Sequence, residues 1–162
     1  MKLSLWIASA VLSLTYLSAS AAPAKLSPAD EAAAFKAAGF KKKGAQWHRC
    51  EDPTPLYGPG GIEDVRDVNG DGLPEVVITE GGTFCFGNTG TGFTLLSKQT
   101  NGTWKVMASS PGILHFLTTR GTGGWADIEV GGPGFCFPVL RWNGKAYAID
   151  RHQYEGKACR PK

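Results

Sequence analysis

The sequence is short of the features that announce an enzyme, a zinc module or a nucleic-acid binder. It contains no G-x-S-x-G, no H-E-x-x-H and no close C-x-x-C pair. Those absences remove the nucleophile elbow, the zinc-protease helix and the paired thiolates of a structural zinc site. Its three histidines, His48, His115 and His152, are scattered, so no Cys/His or Ser/His constellation is readable. Only 19% of residues are charged, and the net charge of +3 becomes +2 if Lys2 is removed with a leader. That excess is too small for the basic footprint of a nucleic-acid surface. Beyond residue 17 no apolar run is long enough to cross a bilayer, and beyond residue 40 no helical period appears.

The first residues read as an export signal, residues 1–21. Lys2 supplies the positive start, Leu3 to Leu17 is apolar, and Ala19-Ser20-Ala21 fits an A-x-A cleavage site. A buried N-terminal helix is the plainer alternative. Export makes Cys50, Cys85, Cys136 and Cys159 readable as two disulfides, because an even count in an oxidising compartment pairs. Three pairings are open; the internal repeat below favours Cys85 with Cys136 and Cys50 with Cys159.

The remainder, 22–162, is one domain by length. Ser27 as cap, Pro28 in the first turn, Asp30 and Glu31 at the positive end and Gly39 as terminator predict one helix over about 28–38. It is rich in alanine and packs through Phe35 and Phe40. The rest is short β-type runs split by Gly, Asn and Pro: EVVIT, TFCF, FTLLSK, TWKVM, ILHFLTT, DIEV, FCFPVLRW and AYAID. TNGT and WNGK carry the Asn-Gly hairpin signal and lead into Trp104 and Tyr147. KKGAQW does the same before Trp47. Asn101-Gly102-Thr103 is also a glycosylation sequon, but the hairpin reading is preferred.

Shifting the chain by 52 residues superposes Pro59-Gly60 on Pro111-Gly112, Ile62 on Leu114, Val65 on Leu117, Gly72 on Gly124, Glu75 on Asp127, Val76 on Ile128 and Ile78 on Val130. One deletion later Phe84-Cys85-Phe86 falls on Phe135-Cys136-Phe137. The expected fold is therefore mainly β: two tandem antiparallel β-meander repeats, about 59–107 and about 111–149, with one short N-terminal helix and a disulfide staple.

The densest chemical signal is DVNGDGLPEVVI, residues 67–78. It lies in an acidic segment where Glu63, Asp64, Asp67, Asp71, Glu75 and Glu80 are accompanied by Arg66 alone. Asp67, Asn69 and Asp71 alternate, Gly70 and Gly72 allow tight turns, Leu73 can offer a carbonyl, and Glu75 can close a shell. Several hard oxygens in a flexible loop suit calcium, with magnesium second because of its stricter geometry. An Asx-rich turn before a strand is the plainer reading. The stretch resembles the calcium loop of FG-GAP repeats, as in integrin α-subunit propellers. Asp67, Asn69, Asp71, Gly72 and Glu75 stand where that pattern has D-x-[DN]-x-D-G-x-x-[DE], followed by an apolar strand. The resemblance implies one calcium, held by Asp67, Asn69, Asp71, Leu73 and Glu75. An EF-hand is a poor match, because Ile78 stands where its late glutamate belongs. In the second repeat Thr119, Gly121 and Gly123 replace the three loop ligands and only Asp127 keeps a carboxylate. Two units cannot close a propeller, so the repeats pack face to face or chains associate; the disulfides favour a monomer.

Asp127 and Glu129, two apart and so on one strand face, are a candidate carboxylate pair for a small hydrolase. The Gly-rich stretches lack a phosphate-loop signature. Phe86, Phe93, Phe137 and Trp142 are candidates for a partner surface or, more simply, for core. Together the features point to an exported, calcium-stabilised binding or inhibitory module of the cell envelope or medium, with a protein or glycan partner, no nucleic acid and no membrane span. A secreted hydrolase is the rival.

Overall fold

A computed structural model describes residues 25–161; the expected signal segment 1–21 lies outside the described residues. The chain is mainly β, with helix α1 (Pro28–Ala37) first. Ser27 caps it by accepting from the Asp30 amide at 3.1 Å, and Gly39, at φ 84°, turns the chain away. The short hairpin β1 (Lys41–Lys43) and β2 (Gln46–His48) follows. Then come β3 (Gly58–Arg66), β4 (Glu75–Gly81), the helical turn α2 (Thr83–Phe86), β5 (Thr91–Lys98) and β6 (Trp104–Pro111). The second unit comprises β7 (Ile113–Arg120), β8 (Ala126–Gly131), β9 (Phe137–Trp142), β10 (Tyr147–Tyr154) and the two-residue β11 (Lys157–Ala158). Each unit is an antiparallel meander, β1 to β6 in one sheet and β7 to β11 in the other, with neighbours in chain order.

The layers follow from strand alternation. Val76, Ile78 and Leu96 on one face of the first sheet pack with Phe35, Phe40, Trp47 and Trp104 under α1 and the small hairpin. Phe35 stacks on Trp47 at 4.9 Å and meets Phe40 edge-on at 5.4 Å. Val77, Phe93 and Leu95, on the other face, pack on Ile128 and Val130 of the second sheet. Each fully buried Ile, Leu, Phe or Val side chain contributes about 1.5–3 kcal/mol. A third cluster, Val68, Trp125, Ala126 and Trp142, joins the loop ends of both units.

The units are therefore stacked in the same orientation rather than face to mirror-image face. Glu75 pairs with Ser97 and Val77 with Leu95; Glu129 pairs with Val139. The face of the second sheet that carries Asp127 and Glu129 is equivalent to the face of the first that the second covers. No third sheet lies on it among the described residues; side chains of its own sheet, Arg141, Arg151 and Gln153, fold over its acids. The face is polar: Glu129 stands at the place of Val77, and Arg141 at the place of Ser97. Terminal units of stacked repeats need such a polar outer face, and α1 caps the opposite end. Two units suffice because both ends of the stack are finished.

Three sequence expectations are corrected. TFCF is not a strand but the turn α2; Gly82 at φ 141° and Gly87 at φ 57° break the chain on either side of it. The strand β3 was hidden by its glycine-rich sequence GPGGIEDVR, which reads as turn. One of those glycines is required, since a Cβ on Gly60 would lie 2.4 Å from the Phe40 ring. Finally, the disulfides join Cys50 to Cys85 and Cys136 to Cys159, not Cys85 to Cys136. Cys85 lies in α2 and Cys136 in the loop before β9, not on adjoining strands, and each cysteine pairs within its own unit. Phe93 is core at 0% exposure, and Trp142 is buried. Among the described residues the exposed aromatics are Phe84 and Phe135.

Candidate metal site

The acidic loop spans the connection from β3 to β4. Asp67 accepts the Gly70 amide at 2.7 Å through one oxygen and the Gly72 amide at 2.8 Å through the other. Asn69 accepts the Asp71 amide at 2.8 Å and donates its side-chain N–H to Asp71 at 3.0 Å. Asp71 accepts the Leu73 amide at 2.8 Å. Gly70 and Gly72 sit at φ 85° and 84°, where a side chain would strain the turn. The glycines thus do what the sequence required of them. The structure brings Asp67, Asn69 and Asp71 into one curl, with their oxygens turned onto backbone amides. Among the described residues no group of three His, Cys, Asp or Glu side chains converges at metal-binding distance.

Glu75 starts β4 and is buried at 1% exposure. One oxygen accepts the Val68 amide at 2.7 Å. The other, Oε1, is buried without a hydrogen-bond partner. Burial pushes this carboxyl up to about 7; the Val68 amide and the Ser97 hydroxyl pull it down, while Asp71 and Asp67 push it up further. A buried acceptor left unmet costs about 1–3 kcal/mol. A cleft of about 260 Å³ lined by Asn69, Asp71, Leu73, Lys105, Trp125 and Trp142, among others, opens beside the loop.

The equivalent carboxylate of the second unit is handled differently. Asp127 is fully buried. Arg141 donates to it through Nε at 3.0 Å and Nη2 at 2.8 Å, Arg151 at 3.1 Å, and the Thr119 hydroxyl at 2.5 Å. Burial pushes its pKa up, but the hydrogen bonds from Arg141, Thr119 and Arg151 outweigh it and hold the group at about 2. Thr119 is the residue that replaces Asp67 in the repeat. Where the first unit gathers oxygens around its buried acid, the second supplies two guanidinium groups. Glu129, the other member of the candidate catalytic pair, accepts from Gln153 at 2.7 Å. Asp127 is thus a clamped anion, Oδ2 accepting from Arg141, Arg151 and Thr119 and Oδ1 from Arg141.

The two units meet at the loop. Arg120 donates to the Val68 carbonyl at 2.9 Å and to the Gly124 carbonyl at 2.5 Å. A Cβ on Gly124 would lie 2.7 Å from the Asn69 carbonyl oxygen, so the vestigial loop of the second unit is packed on the acidic loop of the first.

Sequence reasoning missed a third buried acid, Glu80. One of its oxygens accepts from the Arg49 and Cys50 amides, both at 2.9 Å, and from the Tyr57 hydroxyl. Arg49 Nε lies 3.6 Å from the other oxygen. This carboxylate fastens the segment before β3 to the end of β4, beside the Cys50–Cys85 bridge. Its position at a strand end facing a cysteine-bearing segment carried no local motif.

No family model, curated protein or solved structure matches the chain. The functional reading therefore rests on these residues and on the dozen-residue loop resemblance.

Proposed function

We propose that this chain is an exported β-repeat binding or inhibitory module whose fold is stabilised by one calcium ion in the 67–75 loop. The observation that carries the calcium is the contrast between Glu75 and Asp127. Both are buried at the start of equivalent strands. Asp127 has two arginines, whereas among the described residues Glu75 has no cationic side chain within salt-bridge distance, and it has one bare oxygen. Below about pH 7 a proton can neutralise Glu75; above it the buried charge needs a counter-charge, and a cation supplies it. Asp67, Asn69, Asp71, the Leu73 carbonyl and Glu75 would hold the ion. Each carboxylate oxygen that now accepts one amide keeps a lone pair, and hard oxygens in a flexible loop favour calcium over magnesium. Export rests on the leader-like first residues, and the two disulfides fit an oxidising compartment. Binding rather than catalysis is supported by the clamping of Asp127 and by the absence of a nucleophile–base motif. The partner is a protein or glycan of the envelope or medium.

Calcium at a hundredfold excess over its dissociation constant should stabilise the chelated protein by about 2.7 kcal/mol, a rise in Tm of roughly 10 °C. Asp71→Ala should remove that rise. A wild-type melt that calcium leaves unchanged after thorough chelation would mean that no such site exists.

A further inference from the structure

The binding-module reading leaves the docking surface unassigned, and the edges of the two sheets differ in a way that selects one. An open strand edge is a template for another chain, and proteins blunt it with lysines, proline or shortness. Edge strand β1 is Lys41-Lys42-Lys43, β11 has two residues, and β6 carries Lys105 and ends in Pro111. The β7 edge carries no lysine or proline, and its Ile113–Phe116 half pairs regularly with β8 before a register shift between Phe116 and Arg120. It is eight residues long, with the sequence ILHFLTTR, and Ile113 is 50% exposed. Its one ladder partner is β8.

Beside this edge lies a groove. Two adjoining cavities of about 340 and 330 Å³ share Glu63, Val77, Leu114 and His115 as lining. The groove exists because the second sheet packs over β4 and β5 and leaves the adjacent face of β3 bare. Val77 and Thr79 form its floor. Arg66, paired with Asp64 at 2.5 Å and lying 5.2 Å from the Phe116 ring, closes one end. Glu63 is exposed and has no cationic partner among the described residues. A strand added to β7 would complete the second layer over β3, with its inward side chains directed at Glu63.

We propose that β7 and this groove dock an extended peptide segment of a partner protein by strand addition, with a basic side chain of the segment paired to Glu63. The backbone ladder gives affinity, and the apolar floor and the carboxylate select alternate side chains. This rests on the binding-module reading but not on the calcium. Calcium-induced stabilisation, measured on the same sample without peptide, reports on the calcium alone, so the two ideas can fail separately.

The probe is a blocked heptapeptide of alternating valine and threonine with lysine at its centre, followed by amide hydrogen exchange. Residues 113–120 should gain at least tenfold protection. Glutamate at the peptide centre should weaken binding at least tenfold. N-methylation of alternate backbone nitrogens along the pairing edge should abolish it. In Glu63→Lys, an exposed substitution, the preference should invert toward glutamate. The proposal is overturned if millimolar peptide gives no protection of β7, if protection falls on another strand, or if the lysine preference persists in Glu63→Lys. It is equally overturned if β7 becomes protected without peptide as the mass doubles with concentration, since the occupant would then be a second copy.

Discussion

Asp127→Asn should destabilise the protein by about 3 kcal/mol, whether or not calcium is present. The substitution keeps the shape and the two acceptor positions become one, so Arg141 and Arg151 face a neutral amide. Removing one partner of a buried ion pair costs about 3–5 kcal/mol. The lower end is expected because Arg141 and Arg151 are 38% and 30% exposed and can turn to water. The same clamp sets an acid-side stability slope. An aspartate of ordinary pKa 3.8 is held at about 2 in the fold, so the unfolded chain takes up its proton first as pH falls. The contribution, about 2 kcal/mol, is complete above pH 4 and is lost as pH drops through 2. Urea unfolding at pH 7 and at pH 2 measures both effects. In Asp127→Asn the two pH values should differ by correspondingly less than in the wild type.

Replacing Cys50 and Cys85 together by serine should cost about 4 kcal/mol, the chain-entropy value for a loop of this length. The bridge closes 35 residues that include β3 and the acidic loop. The Cys136–Cys159 bridge closes 23, and its loss should cost about 3 kcal/mol on the same basis. Denaturant unfolding of the two double variants checks the order. A larger loss from the Cys136–Cys159 pair would show that native-state contacts, such as those of Glu80 or Tyr154, outweigh loop entropy.

What the sequence revealed and what it hid divides by range. The helix was legible because its signals, from Ser27 to Gly39, are contiguous. The hairpins before Trp104 and Tyr147 were legible through Asn-Gly, and the tandem units through the 52-residue shift. The curl of the acidic loop was legible because Asp67, Asn69 and Asp71 bond to amides two to five residues away. The clamp on Asp127 was not. Arg141 and Arg151 are 14 and 24 residues distant and reach it through a strand register that local patterns do not state. The disulfide pairing failed for a related reason: repeat equivalence placed Cys85 and Cys136 at the same point of successive units, which is a statement of similarity and not of contact. β3 was hidden because glycine, which at position 60 makes room for Phe40, is also the residue that marks turns.

The same comparison explains why one loop kept its oxygens and the other did not. Thr119 in place of Asp67, and Arg141 in place of Ser97, give the second unit an internal counter-charge for its buried acid. The first unit, with Ser97 opposite Glu75 and acids at 67 and 71, has none. An ion in the first loop would also press on Gly124 and Arg120 of the second, so it would stiffen the junction between the units and not the loop alone.

The most direct measurement is calorimetric titration of calcium into the chelated wild type, Glu75→Gln and Asp127→Asn. One ion per chain is expected in the wild type and in Asp127→Asn, and at least tenfold weaker binding in Glu75→Gln without loss of its metal-free melting temperature. Absence of binding in the wild type, or undiminished affinity in Glu75→Gln, would contradict the proposed calcium site.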